Sequence, residues 1–402
     1  MPTKSVFTAG CALLAAGAAQ ALTIDFKPLA HVEVIHDDNI FRAPDNSAAG
    51  GAGRVADTVT RYGAGASLKL TQSLQTLTID GDYDRVDYAS QNQLNHNRYR
   101  LGAALGLAAG SSLHLNLKAA REHRLENFAY RHDSAKGFID QKTAGADFEY
   151  AITPRYSLVS SGNYYSTRAT LASSQDFDVI ERGVEGGLRY GIARYSGLDL
   201  IVRDVHGDFP SRVVTAGDGR EKKYEQQSAF MRLAYAPSGL TDLRLQAGYT
   251  RRQHQDASVS DFKGATGRFS LLRRISGRSQ LRFDAYRDLY YVQQAGANYV
   301  ENLGVDLGFD YLYSAKLKLA ATVERIESRY RGASSFAQQT GGARSDELLG
   351  ARIGAEYQPF YRFSITPSYR FERRNSTEAL SQYYFNSFGV DFAYRYGAES
   401  SY

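Results

Sequence analysis

The chain has 402 residues with no tryptophan, two methionines, eight prolines and one cysteine. That cysteine, Cys11, excludes an internal disulfide and any fold that relies on one. Only ten residues precede it, in the context Thr8-Ala9-Gly10, which is too short a leader for a lipid-anchored protein. Beyond the first 21 residues no run approaches the roughly 18 apolar residues of a membrane-crossing helix. Excess charge of one sign is missing as well: 48 basic and 43 acidic residues are interspersed, which excludes a nucleic-acid-binding balance. The absent tryptophan removes the Trp-Asp signature of a β-propeller.

What is present begins with an export signal. Lys4 gives a positive start, Val6 to Ala19 is an apolar run of small residues, and Ala19-Gln20-Ala21 fits a small-x-small cleavage pattern. The expected organisation is a leader over 1–21, cut after Ala21, followed by one domain over 22–402. Removing Lys4 lowers the formal net charge from +5 to +4. The chain also holds 29 tyrosines, 20 phenylalanines and 37 glycines, and its mean hydropathy is −0.42. That average suits a soluble protein, and equally a barrel whose strands face water on one side only. Tyr and Phe supply the interfacial girdles that tryptophan often shares.

The alternation is of period two. Tyr99, Leu101, Ala103, Leu105 and Leu107 oppose Arg98, Arg100, Gly102, Ala104 and Gly106. Leu243, Leu245, Ala247 and Tyr249 oppose Arg244, Gln246, Gly248 and Arg252, and Leu303, Val305, Leu307 and Phe309 oppose Gly304, Asp306, Gly308 and Asp310. Short turn signals recur about every 40 residues, at Thr71–Ser73, Ala109–Ser112, Thr153–Arg155, Ala193–Tyr195, Pro237–Gly239, Ser276–Arg278, Ser314–Lys316 and Gln358–Phe360. Longer polar loops lie between them, as at 43–57, 127–139, 207–222 and 331–346. Eight tight turns with both ends of the domain on the turn side give nine long hairpins. The predicted fold is therefore all-β: a transmembrane antiparallel up-and-down β-barrel of about 18 strands, with 16 the next choice. The short turns mark the periplasmic side.

Two stretches resemble known proteins. Gly389, Phe392 and Tyr394 form a Gly-x-x-aromatic-x-aromatic run similar to the C-terminal insertion signal of bacterial outer-membrane barrels, although eight residues follow Tyr394. His36-Asp37-Asp38-Asn39-Ile40-Phe41-Arg42 resembles a Tyr-Asp-Asp-Asn-Leu-Phe-Arg signature near the start of outer-membrane barrels of exopolysaccharide systems (the EpsL-like, type 2 β-barrel porins). Asp37, Asp38, Asn39, Phe41 and Arg42 match; His36 and Ile40 depart from it. The resemblance implies a barrel in the bacterial outer membrane serving polymer secretion, and carries no substrate with it. As chemistry, Asp37-Asp38-Asn39 fits a strand-end turn better than a cation site, because three adjacent side chains converge poorly on one ion.

The remaining signal is diffuse. The water-facing parity carries Arg98, Arg100, Lys118, Arg203, Arg232, Arg244, Arg252, Arg268, Arg282, Lys318, Arg352 and Arg370, interleaved with Glu149, Glu185, Asp306, Asp310 and Glu356. These are the candidate pore-lining residues. Read blandly, they are a solvated interior of weak ion pairs, ~0–1 kcal/mol each. Read functionally, they line a conduit, with arginine suited to carboxylates and tyrosine to sugar rings. Asp204 and His206 share a strand face and invite a catalytic reading, but no Gly-x-Ser-x-Gly elbow accompanies them. His114 and His123 fall on opposite parities and make no metal pair. The first functional expectation is export or guidance of an extracellular polysaccharide. The alternative is a substrate-specific porin for small polar nutrients, with an outer-membrane hydrolase or a surface scaffold behind it. No enzyme activity, cofactor or metal is expected. The expected partners are outer-membrane lipid, a polysaccharide or other hydrophilic solute, periplasmic export components and the barrel-assembly machinery.

Overall fold

Strands here have two different solvents, and the chain closes on itself to keep them apart. The computed structural model describes residues 22–44, 53–131, 133–193, 195–214, 221–254, 261–290, 297–331 and 344–396. The expected leader, Cys11, Arg194 of one expected turn and parts of the long loops lie outside the described residues.

The strands are β1 (Thr23–Asp37), β2 (Asp57–Gln72), β3 (Gln75–Tyr88), β4 (His96–Ala109), β5 (Leu113–Leu125) and β6 (Phe138–Ala151). Then come β7 (Tyr156–Ala169), β8 (Val179–Ala193), β9 (Ser196–Asp208), β10 (Lys223–Ser238), β11 (Thr241–His254) and β12 (Phe262–Arg274). The last six are β13 (Ser279–Tyr290), β14 (Tyr299–Ser314), β15 (Leu317–Arg331), β16 (Ser345–Phe360), β17 (Phe363–Ser376) and β18 (Tyr383–Arg395). Each pairs antiparallel with its sequence neighbours, and β1 pairs with β18 over Leu29–Asp37, so one 18-stranded sheet closes. The predicted strand number is the observed one. Strands roughly 4.8 Å apart and tilted ~40° give a backbone radius of about 18 Å.

The alternation sorts side chains as expected. Leu101, Val184, Leu188, Val202, Leu303 and Ile353 point outward and are half or more exposed, which only a lipid surround makes favourable. From Val184 to Ile192 the outward face of β8 is free of charge, a rise of about 20 Å along the barrel axis. Tyrosines crowd its lower edge, at Tyr150, Tyr156, Tyr190, Tyr235, Tyr313, Tyr357 and Tyr394. Every strand is paired on both sides, so no backbone edge is left for the hydrocarbon.

Three of the tight turns sit one to three residues later than the sequence suggests. β2 runs through Gln72 and turns at Ser73-Leu74; β10 runs through Ser238 and turns at Gly239-Leu240; β16 runs through Phe360 and turns at Tyr361-Arg362. Ser73 (φ 55°) and Arg362 (φ 71°) take the left-handed conformation, although neither is glycine. Pro237 and Pro359 do not make turns. Each falls within a register irregularity, between Tyr235 and Ser238 or between Tyr357 and Phe360, where a missing N–H breaks no regular ladder bond.

Buried apolar residues collect at the end of the barrel that carries the long connections. Ile40, Phe41, Leu94 and Phe128 form one cluster, Val179, Phe209 and Tyr224 a second, and Phe262, Leu289 and Tyr299 a third. Short 3₁₀ turns at Asn92–Leu94, Phe128–Tyr130, Ala172–Phe177 and Ala379–Ser381 bring some of these side chains inward.

Candidate functional site

Register places every candidate pore-lining residue on the inward face. They do not form one uniform ladder. On β8 and β9 Glu185 is held by Arg203 at 2.8 Å and by Arg232 of β10 at 3.3 Å. Arg282 pairs with Asp310, and Lys118 reaches Asp147 at 3.3 Å. Arg395 lies 3.7 Å from Glu356. Arg252 is 2 % exposed, donates to Gln226 Oε1 at 2.7 and 3.0 Å, and stacks 4.1 Å from the Tyr224 ring centroid. Arg268 lies 4.8 Å over the Tyr286 ring, and Arg244 pairs with Asp242, its own-strand neighbour, at 3.0 Å. Arg98 reaches the buried Asp84 at 3.3 Å, with His31 on the other side at 3.2 Å. Arg100 stands opposite Asp82 and Glu122.

The residue that joins these charges was not singled out from sequence. Arg189 of β8 holds Asp199 with two parallel bonds, at 2.7 and 2.9 Å, and Glu149 with a third at 2.6 Å. Its signal was present: Glu185 and Arg189 are four apart on one strand and share the inward face. Around Arg189 lie two adjoining cavities that share Glu149, Arg189 and Arg232. One, of about 260 Å³, is lined by His114, Asn116, Asp147, Ser161 and Glu185 among others. The other, of about 1110 Å³, opens toward the turn end past Arg155, Asp199, Asp242, Arg244 and Arg274.

A second pattern depends wholly on register. Asp284, Asp306 and Glu324 are direct cross-strand neighbours on β13, β14 and β15, and the same row continues through Gly350 to Glu372. One inward step toward the turn end, the row reads Arg282, Gly308, Thr322, Arg352 and Arg370. A row of acid therefore rests on a row partly of base. Like charges directly opposite one another are unfavourable, which the arginines below offset.

The His36–Arg42 stretch serves closure. Asp37 takes two bonds from the Arg42 guanidinium, at 2.9 and 2.7 Å, and accepts the Asn39 N–H at 2.8 Å. Asn39 is fully buried; its amide donates to the Ala43 carbonyl at 2.8 Å and to the Tyr384 carbonyl at 3.0 Å, and its oxygen accepts from the Ala43 N–H at 2.9 Å. Asp38 accepts from the Asn386 N–H and side-chain amide at 2.8 and 2.9 Å and meets Arg54 at 2.7 Å. Burial pushes the Asp38 carboxyl up, but the Asn386 bonds and Arg54 outweigh it and hold the group below its ordinary value. Phe41 packs edge-on against Phe128 at 5.0 Å, and Arg42 lies 3.5 Å over the Phe385 ring. The two carboxylates turn to different partners, which fits the strand-end turn and not a shared cation. The stretch buckles β1 to β18.

Asp204 and His206 share a face, 3.1 Å apart, but it is the outward face, where the second neighbour of His206 is Glu225 at 3.8 Å. His114 faces inward, whereas His123 faces outward, stacked between Tyr99 and Phe138. Gly389 points inward against Ile35, and Phe392 and Tyr394 point outward.

Above the cavities the long connections interlock across the mouth. Arg374 of β17 donates to the Ala129 carbonyl of the β5–β6 connection at 2.6 Å. Tyr130 shares a cleft with Ser174 and Asp178 of the β7–β8 connection. Ser211 donates to Asp178 at 2.9 Å, and Arg212 donates to the carbonyls of Asp176 at 3.2 Å and Glu221 at 2.9 Å and to Asn298 at 3.4 Å. Ala297 and Val300 pack on Tyr330, whose hydroxyl donates to Asp346 at 3.1 Å, and Asp346 lies 3.9 Å from Arg374. The circuit of contacts thus returns to its start. Burial holds the Asp178 carboxyl above its ordinary value, despite bonds from the Ala169 N–H and Ser211.

No family model matches the chain, and no curated protein matches its sequence. The EpsL-like resemblance therefore stands on the heptapeptide alone, and its matched residues have partners in the seam. Among solved structures the chain is similar to OccK2 (OpdF) of Pseudomonas aeruginosa, with 13 % identity over 92 % of this chain and 97 % of that one and a TM-score of 0.49. OccAB3 of Acinetobacter baumannii gives 9 % identity, 93 and 99 % coverage and a TM-score of 0.48. OpdK of P. aeruginosa, solved with vanillate, gives 14 %, 92 and 98 % and 0.47. At these values the likeness transfers neither substrate nor residue roles; the barrel stands on its own strand register.

Proposed function

We propose that the chain is an outer-membrane channel for small polar solutes. Its turn end faces the periplasm and its long connections face outward, as the asymmetry of such barrels dictates. In this reading residues 1–21 are the export leader, and Gly389, Phe392 and Tyr394 present the last strand to the barrel-assembly machinery. The observation that carries the proposal is the pair of joined cavities around Arg189. Their walls carry both signs of charge, and the smaller is close to the ~300–1,000 Å³ range of small-molecule sites. The interlocked connections above favour small solutes over a thick chain. Charges of both signs suit solutes that present a carboxylate together with hydroxyl or amino donors.

Passage of an extracellular polysaccharide, driven by periplasmic export components, is the second reading and rests on the heptapeptide resemblance. One experiment separates them: ion conductance of the refolded protein in a planar bilayer, with small acidic sugars, amino acids or long oligosaccharides added. Block by the small solutes at concentrations where long fragments do nothing supports the proposal. Block by long fragments alone overturns it in favour of polymer passage, and a silent bilayer removes both.

A further inference from the structure

The outer wall of the barrel carries a cation cluster that the channel does not use. On β5–β8, Arg121, Lys142, Arg168 and Arg182 point outward and are exposed. Each sits toward the loop end of the uncharged belt: Arg121 follows Ala119, Lys142 precedes Ala144, Arg168 lies beyond Tyr164, and Arg182 precedes Val184. Arg121 and Lys142 are direct cross-strand neighbours, an arrangement that is unfavourable unless nearby anions neutralise it. The nearest acid, Asp140, is held by Arg121 at 3.2 Å and His123 at 3.3 Å. Asp140 also stands directly opposite Arg168, whose charge acts on the Asp178 carboxyl as well, whereas Lys142 and Arg182 form no ion pair among the described residues. At the opposite rim the outward Arg273 bonds Thr241. Below the cations the wall is shallow, because Ala119 faces Ala144 and Ala146 faces Gly162 across neighbouring strands.

We infer that Arg121, Lys142, Arg168 and Arg182 form a docking site for the phosphorylated headgroup of an outer-leaflet glycolipid, whose acyl chains lie on the shallow wall beneath. A soluble protein partner has no reason to seat at the boundary of an apolar belt; a phosphate at the headgroup level meets four guanidinium or ammonium groups there. The site depends on the outer-membrane reading but not on what the lumen passes.

The test is native mass spectrometry of the intact barrel mixed with a diphosphorylated disaccharide glycolipid or its dephosphorylated form. The wild type retains the phosphorylated lipid, and retention falls with added salt. The fourfold variant Arg121→Ala, Lys142→Ala, Arg168→Ala and Arg182→Ala retains it at least about tenfold less, since each cation beside an anionic surface contributes roughly a factor of five. Exchanging the three arginines for lysine restores retention, and Arg273→Ala leaves it unchanged. Equal retention of the two lipids by the wild type overturns the site even if the fourfold variant does not fold. A barrel that retains the phosphorylated lipid yet conducts nothing counts against the channel alone; one that conducts and retains neither lipid counts against this site alone.

Discussion

Replacing Asn39 by alanine tests whether the first connection holds the barrel shut. Asn39 is fully buried, and its side chain satisfies three backbone groups: the Ala43 N–H, the Ala43 carbonyl and the Tyr384 carbonyl. The first two set the turn; the third crosses from the β1 end to β18. Each such bond contributes about 0.5–1.5 kcal/mol net, and an orphaned buried polar group costs about 1–3 kcal/mol. Water reaching the Ala43 groups reduces the sum, so Asn39→Ala is expected to cost about 3 kcal/mol. Asn39→Asp keeps the acceptor for the Ala43 N–H but sets carboxylate oxygen against two carbonyls, and is expected to cost at least as much. The chain has no tryptophan, so the assay is the gel-mobility difference between folded and unfolded barrel across a urea series in lipid vesicles. A loss below about 1 kcal/mol for both variants, where buried hydrogen bonds require more, refutes the assignment of this stretch to closure.

Arg189→Ala should change ion selectivity, because Glu149 and Asp199 lose the cation between them; the reversal potential in a salt gradient is expected to move toward cations. Arg212→Ala should raise the conductance of the open barrel by loosening three connections, and an unchanged single-channel current would count against their role at the mouth. Gly63→Ala should destabilise the barrel by about 1–3 kcal/mol, since its Cβ would sit 2.2 Å from Asp84 Oδ1 and 2.3 Å from the Tyr83 carbonyl; urea midpoints measure it. Asp38 is more acidic folded than unfolded, so its contribution is fully present above its ordinary value of 3.8 and is lost as pH falls through the depressed one. The urea midpoint of Asp38→Asn should accordingly depend less on pH than wild type below that value.

The architecture was legible because lipid and water impose a period of two that no soluble core keeps up over strands of this length. Leu101 beside Arg100, or Val305 beside Asp306, states both solvents in two letters. Strand number followed from the spacing of turns, although proline misled: Pro237 and Pro359 mark bulges, and the chain turns only after them. What a single strand cannot show is the height at which it meets its neighbours. Asp284, Asp306, Glu324 and Glu372 are scattered in sequence and become one row only when register is fixed. Arg189 was readable as an inward arginine but not as the link between Glu149 and Asp199, which come from two other strands. The Asp37–Arg42 stretch resembled a family signature, whereas its partners Tyr384, Phe385 and Asn386 lie at the far end of the chain.

That distance sets an order in time. Asn39 and Tyr384 are 345 residues apart, and closing so long a loop costs about 5 kcal/mol of chain entropy. No contact made early in folding can meet that cost, because one half of the buckle does not exist until the last strand is in place. Asp38 and Asn39 therefore lack these partners until β18 lies beside β1. Closure of the wall and burial of these two polar side chains are thus one event.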